Sequence, residues 1–128
     1  MKTAYKIITG ILIFTALGFT TYQLNQEDQL IVGTWVEEST TTENRLVFYE
    51  TGNLEDYYKN QISETYTWQI TESQTPGGLI ISHLILTNTE DPNDTYHYEI
   101  NALSEERLVL VYQRPGGGIG KLTTYYKQ

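Results

Sequence analysis

Between Gly33 and Tyr126 the sequence breaks into short runs of alternating apolar and polar residues, each ended by Gly, Pro, Asn or Asp. Alternation with a period of two puts one set of side chains on each face of a strand. Thr65–Thr71 shows it most cleanly: Tyr66, Trp68 and Ile70 share one face, and Thr65, Thr67 and Gln69 share the other. The same reading predicts strands at Gly33–Ser39, Arg45–Glu50, Leu54–Lys59, Leu79–Thr87, Thr95–Ile100, Leu108–Gln113 and Lys121–Tyr126. Thr51-Gly52-Asn53, Pro76-Gly77-Gly78 and Pro115–Gly118 are the hairpin turns between them. Strands spaced by about a dozen residues, with no helical pattern among them, predict an all-β fold. The expected form is an up-and-down antiparallel barrel of about eight short strands, with a sandwich as the alternative. A closed barrel leaves no exposed strand edges. No internal repeat, linker or second domain interrupts the pattern.

The segment before these strands has a different character. Lys2 and Lys6 precede an uncharged stretch from Ile7 to Gln26 whose apolar heart runs from Ile7 to Phe19. A positive start followed by an apolar run of about a dozen residues is the layout of a secretory signal peptide. Ala16 and Gly18 fit the small-residue positions of a cleavage site before Phe19. The competing reading is an uncleaved signal anchor, because Ile7 to Tyr22 just suffices to cross a bilayer. A buried helix is disfavoured, since the stretch has no polar face. Residues 1–26 are therefore expected to be a signal peptide or anchor, and 27–128 the barrel domain. Both readings place the domain outside the cytoplasm, in the periplasm, at the cell surface or beyond, with membrane contact only through an uncleaved N-terminal segment. Gln26–Val32 fits one helical turn, with Leu30 and Ile31 placed to plug one end of the barrel.

Charge narrows the partners. Eight Lys and Arg against sixteen Asp and Glu give −8 over 128 residues. Loss of Lys2 and Lys6 with a leader would take the remainder to −10. Such a chain does not suit nucleic acid, whose phosphates select Lys and Arg. The absence of cysteine rules out disulfides, thiolate metal sites, a cysteine nucleophile and lipidation at a lipobox. An exported protein of this kind must rely on its core alone.

At Leu30-Ile31-Val32-Gly33-Thr34-Trp35 a short turn leads into Gly-x-Trp at the head of the first strand. Gly33 allows a sharp backbone turn there, and Trp35 offers a large apolar surface to close a barrel end. This unit resembles the start of lipocalins and of small lipocalin-like domains of secreted bacterial proteins. Phe48 to Gly52, Tyr66-Thr67-Trp68-Gln69-Ile70, and Tyr98–Ser104 followed by Leu108-Val109-Leu110 resemble further elements of those domains. The likeness spans Leu30 to Tyr126. It implies a calycin-type barrel, a small hydrophobic or amphipathic ligand, and a basic side chain packed on the tryptophan. Arg107 and Arg114 are the residues expected for that last role. Short strands imply a shallow barrel.

Trp35, Phe48, Tyr66, Trp68, Tyr96, Tyr98 and Tyr112 are the candidate ligand-binding residues. Flat apolar faces with hydroxyls suit an amphipathic ligand, although the same set would also simply fill a narrow barrel. His83 and His97 are the only histidines, and Glu99 shares a face with His97. Pairing of their strands would bring the three together as a weak divalent-metal set; otherwise they are solvated outer-face residues, opposite Tyr96, Tyr98 and Ile100. Pro115–Gly120 is glycine-rich but has no following helix or Lys-Ser/Thr to hold a phosphate, and reads as a hairpin loop. Glu90-Asp91-Pro92-Asn93-Asp94 matches no EF-hand spacing and reads as a solvated turn. Glu37-Glu38, Glu55-Asp56 and Glu105-Glu106 are expected to face solvent or lie in turns. Ser82 and His83 are adjacent in one strand and so face opposite ways, and no Gly-x-Ser-x-Gly is present. Neither a cofactor nor a catalytic residue is expected. The alternatives to a ligand binder are an envelope interaction or inhibitor module acting through the Asn88–Asp94 and Pro115–Gly120 loops, and, more distantly, a metal-dependent enzyme.

Overall fold

The computed structural model describes residues 25–128. The expected leader lies outside the described residues except for Asn25 and Gln26. Among the described residues no helix is long and apolar enough to cross a membrane. Asn25 caps a short helix, α1 (Gln26–Ile31), by accepting the Asp28 amide on its side-chain oxygen at 2.8 Å. Eight strands follow: β1 (Gly33–Glu37), β2 (Arg45–Phe48), β3 (Asn53–Tyr58), β4 (Gln61–Gln74), β5 (Ile80–Asn88), β6 (Thr95–Leu103), β7 (Arg107–Gln113) and β8 (Ile119–Lys127). Each pairs antiparallel with its sequence neighbours, and β8 returns to pair with β1, closing the barrel. The all-β, up-and-down expectation is met.

The strands differ from the expected ones mainly at β4. It begins at Gln61 because Lys59 and Asn60 form a two-residue turn, both with positive φ (53° and 64°). That is the backbone a tight hairpin of matching twist requires, and asparagine tolerates it well. β4 and β5 pair without a break from Tyr66 with Asn88 to Gln74 with Ile80. Bulges interrupt the ladders at Asp56/Tyr57, Ile100/Ala102 and Val111/Gln113. Such interruptions bend strands and tighten a small barrel.

The inward rows follow the alternation. Ile31, Trp35, Phe48, Leu54, Tyr66, Trp68, Leu84, Leu86, Leu108 and Leu110 form one buried cluster. Because successive strands are antiparallel, the start of β1 lies at the same end as α1 and the β2–β3, β4–β5 and β6–β7 turns. The opposite end carries the loops between β1 and β2, β3 and β4, β5 and β6, and β7 and β8.

The α1 end is sealed by Trp35, which is fully buried. Its indole Nε1 donates to the Ile31 carbonyl at 2.7 Å, so the buried N–H is satisfied. Ile31 is itself fully buried and Leu30 half-buried, so the plug expected from the sequence is present. The basic partner of Trp35 is Lys127, which corrects the expectation of Arg107 or Arg114. Its Nζ lies 5.1 Å from the centre of a Trp35 ring and donates to the Leu30 carbonyl at 3.0 Å. Arg107 precedes the buried Leu108 and is exposed on the outer face, while Arg114 sits in the hairpin at the far end. Gly33 has φ +135°, and a Cβ there would lie 2.6 Å from Lys127 Cε. Glycine is thus needed both for the backbone and for the lysine that crosses it.

Candidate functional site

The barrel end opposite α1 is hollow. A cavity of about 400 Å³ opens there, lined by the inward residues Glu37, Leu46, Asp56, Tyr66, Leu86, Tyr98, Leu110 and Tyr125 and reaching the rim at Arg45, Tyr57 and Tyr58. Its volume falls within the range of small-molecule sites.

Register places these side chains. Leu46 pairs with Trp35 on one side and Asp56 on the other, and Asp56 pairs with Glu64. Asp56 is two residues beyond the buried Leu54, so the alternation that buries Leu54 also turns Asp56 inward. This corrects the expectation that Glu55-Asp56 faces solvent: Glu55 takes the outer face and accepts from Tyr49 Oη (2.7 Å) and Tyr57 Oη (3.0 Å). Glu37 likewise lines the cavity, half-buried, whereas Glu38 is exposed.

The two carboxylates of the wall, Glu37 and Asp56, and the exposed Glu64 paired across from Asp56 are held differently. Glu64 Oε1 accepts from Asn88 Nδ2 at 2.6 Å. Glu37 Oε2 is 3.8 Å from Lys121 Nζ, on a lysine side chain that is 77% exposed. Asp56 has no hydrogen bond or ion pair among the described residues. Burial, reinforced by the charges of Glu64 and Glu37, pushes its carboxyl up to about 6. Burial and the same anionic surroundings also raise the surrounding phenols, Tyr98 to about 12 and Tyr66 and Tyr125 further. They remain neutral hydrogen-bonding groups at physiological pH. An acid poised near 6 beside two further carboxylates and neutral phenols can hold a positive group or exchange a proton with a bound molecule.

Of the seven ligand-binding residues expected from the sequence, Tyr66 and Tyr98 line the cavity. Tyr96 and Tyr112 pack behind them: Tyr66–Tyr96, Tyr96–Tyr112 and Tyr98–Tyr112 ring centres are 5.9, 6.4 and 5.5 Å apart. Trp35, Phe48 and Trp68 belong to the filled part of the barrel. Phe48 and Trp68 meet edge to face at 5.8 Å, and Trp68 Nε1 donates to the Tyr49 carbonyl at 2.9 Å. Trp68 also borders a surface depression of about 390 Å³ with Asp28, Glu50 and Ile70. Glu37, Asp56 and Tyr125 are cavity residues that the sequence reading did not select.

The histidines do come together. His83 Nδ1 and His97 Nε2 are 3.0 Å apart on the outer face, and Ser73 Oγ is 2.7 Å from His83 Nε2. His83 lies directly across from Glu99 in the β5–β6 ladder. Burial and the neighbouring His83 lower the His97 pKa. Tyr96, Tyr98 and Ile100 face the other way, onto the core, as expected. Among the described residues no group of three or more His, Asp or Glu side chains is arranged to hold a metal ion. Ser82, expected to face away from His83, does so, donating through Oγ to Glu27 of α1 at 2.5 Å. The Asn88–Asp94 and Pro115–Gly118 loops both rim the hollow end.

Comparison of the chain with protein-family models, with curated proteins and with solved structures finds no match. The class established by the geometry is an eight-stranded, closed antiparallel barrel with one filled and one hollow end, consistent with a lipocalin-like fold.

Proposed function

We propose that this chain is an exported lipocalin-like protein that holds a small apolar or amphipathic ligand inside its barrel without chemical change. The observation that carries the reading is the cavity of about 400 Å³ with Tyr66, Tyr98, Tyr125, Leu86 and Leu110 in its wall. Apolar surface on the ligand leaves water against these side chains, and the phenol hydroxyls orient its polar part. The Gly33–Trp35–Lys127 closure supports the lipocalin likeness, because a glycine, a tryptophan and a basic side chain near the chain's end seal one end together. Export rests on Lys2, Lys6 and the apolar run from Ile7.

A fluorescence titration with N-phenyl-1-naphthylamine, neutral at physiological pH and small enough for the cavity, tests the reading. Saturable enhancement at one site is expected, and Leu46→Trp, which enlarges an inward side chain near the mouth, should weaken it about tenfold or more. Absence of saturable binding by the wild type contradicts the reading.

A further inference from the structure

The charge inside the cavity says which ligands it accepts. The groups facing Asp56 are Glu37 from β1, Glu64 and Tyr66 from β4, Tyr98 from β6 and Tyr125 from β8. The one basic residue of the lining, Arg45, is committed at the rim. Its guanidinium donates to the Thr42 carbonyl at 3.2 Å and Asn60 Oδ1 at 2.8 Å, and lies 4.1 Å from the centre of the Tyr57 ring. Lys121 reaches only Glu37, from solvent, where such a pair contributes little. The cavity wall therefore holds two carboxylates, Glu37 and Asp56, with the exposed Glu64 adding its charge from across the β3–β4 ladder and no cation against Asp56. Burying an unpaired charge is costly unless a counter-charge joins it.

Resting on the cavity reading above, we infer that the ligand is a small organic cation, a protonated amine on an apolar body. Its ammonium group meets Asp56, with Glu37 and Glu64 close by, and its body lies against Tyr66, Tyr98, Tyr125, Leu86 and Leu110. A cation relieves the repulsion among the three carboxylates and gains charge-assisted hydrogen bonds. Phenol rings add the attraction of their electron-rich faces for ammonium groups. A carboxylate or phosphate ligand meets like charge at the same place. Glu38, Glu43, Glu90, Asp91 and Asp94, in the loops of the hollow end, extend the same bias outward and draw cations to the mouth.

Tryptamine, tryptophol and indole-3-acetate share one aromatic body and differ in the charge of the side chain, so calorimetric titration of the three isolates that variable. Tryptamine should bind at least about tenfold more tightly than tryptophol, with indole-3-acetate weakest. In Asp56→Asn the tryptamine-to-tryptophol ratio should fall towards one, while in Glu90→Gln, on the rim loop, it should persist. Lowering the pH from 7 to 5 should reduce tryptamine affinity as Asp56 takes up a proton. Equal affinities in the wild type, or a ratio that survives Asp56→Asn, would overturn the cation inference and leave the cavity reading standing. Binding of N-phenyl-1-naphthylamine without any of the three indoles overturns the cation class as well. Failure of that probe too overturns both.

Discussion

Where β1 begins, the inward side chains are Trp35, Phe48 and Leu54, with Ile31 of α1 above them and Lys127 crossing the tryptophan. Where β1 ends, the inward positions of the same strands are Glu37, Leu46 and Asp56, joined by Tyr66 from β4 and Tyr125 from β8. The strands, pairing and alternation are common to both ends; only the chemistry of the inward row changes. Large apolar side chains fill the first end, and the Trp35 and Trp68 indole N–H groups there donate to the backbone carbonyls of Ile31 and Tyr49. At the second, Glu37 and Asp56 stand in place of large apolar side chains, and the barrel is open there. Stability is concentrated at one end, and the other carries an unfavourable charge arrangement that a ligand can relieve. The difference teaches that in so small a barrel the packed core and the open volume are divided between its ends.

Substitutions should separate the ends by sign as well as size. The largest effect is expected at Trp35. Trp35→Ala should cost about 3–5 kcal/mol, a large share of the ~5–15 kcal/mol by which an ordinary domain is stable. Trp35→Phe should fold and lose about 1–2 kcal/mol through the indole bond to Ile31 and lost volume. Urea unfolding followed by circular dichroism reads both, and a Trp35→Ala protein of unchanged midpoint would show that this end is not the stabilising one.

Next comes Gly33→Ala, expected to cost about 2 kcal/mol, because the backbone there has φ +135° and the new methyl displaces Lys127. Adding Lys127→Ala should restore little of the loss, since the backbone strain persists. Substantial recovery in the double variant would assign the cost to the lysine contact alone.

The hollow end should respond in the opposite direction. The Asp56 carboxyl is raised from 3.8 to about 6 in the fold, so the native state binds more protons than the unfolded chain between those values. Stability therefore falls as pH rises from about 4 to about 6, and the penalty is fully present above that window. Asp56→Asn should accordingly stabilise the protein at pH 8 by about 1–2 kcal/mol, a figure discounted for solvent screening of a half-buried group, with the gain vanishing near pH 4. A variant less stable than the wild type at pH 8 would mean that Asp56 has a favourable partner.

The smallest effect is expected on the barrel's flank. Partial desolvation and the neighbouring His83 lower the His97 pKa, so its neutral form is the one the fold favours, and any contribution is lost as pH falls. His97→Gln should change stability by no more than about 0.5 kcal/mol at pH 8. Imidazole NMR titration of the wild type should place the His97 midpoint below that of a free histidine; a raised midpoint would require a negative partner.

Much of the fold is legible in the sequence because alternation and turn chemistry are local. Thr65–Thr71 declares its faces, and Tyr66 and Trp68 are buried while Thr67 and Gln69 are exposed. The candidate site is legible only in part. Tyr66 and Tyr98 stand out as aromatic residues on alternating faces, but Asp56 is hidden in the pair Glu55-Asp56, which looks like an exposed acidic run. Counting by two from Leu54 is the signal that places it inside. The Lys127–Trp35 contact depends on how β8 returns to β1, a register that no local pattern encodes. The line from Ser73 through His83 to His97 likewise needs the β4–β5 and β5–β6 registers together.

The division between the ends is tested most directly by the two indole N–H signals and the tyrosine ring signals in NMR spectra recorded while N-phenyl-1-naphthylamine is added. The account predicts progressive shifts at Tyr66, Tyr98 and Tyr125, with the Trp35 indole signal fixed on the Ile31 carbonyl and unmoved. A ligand that shifts Trp35 while leaving those tyrosines unchanged would contradict it.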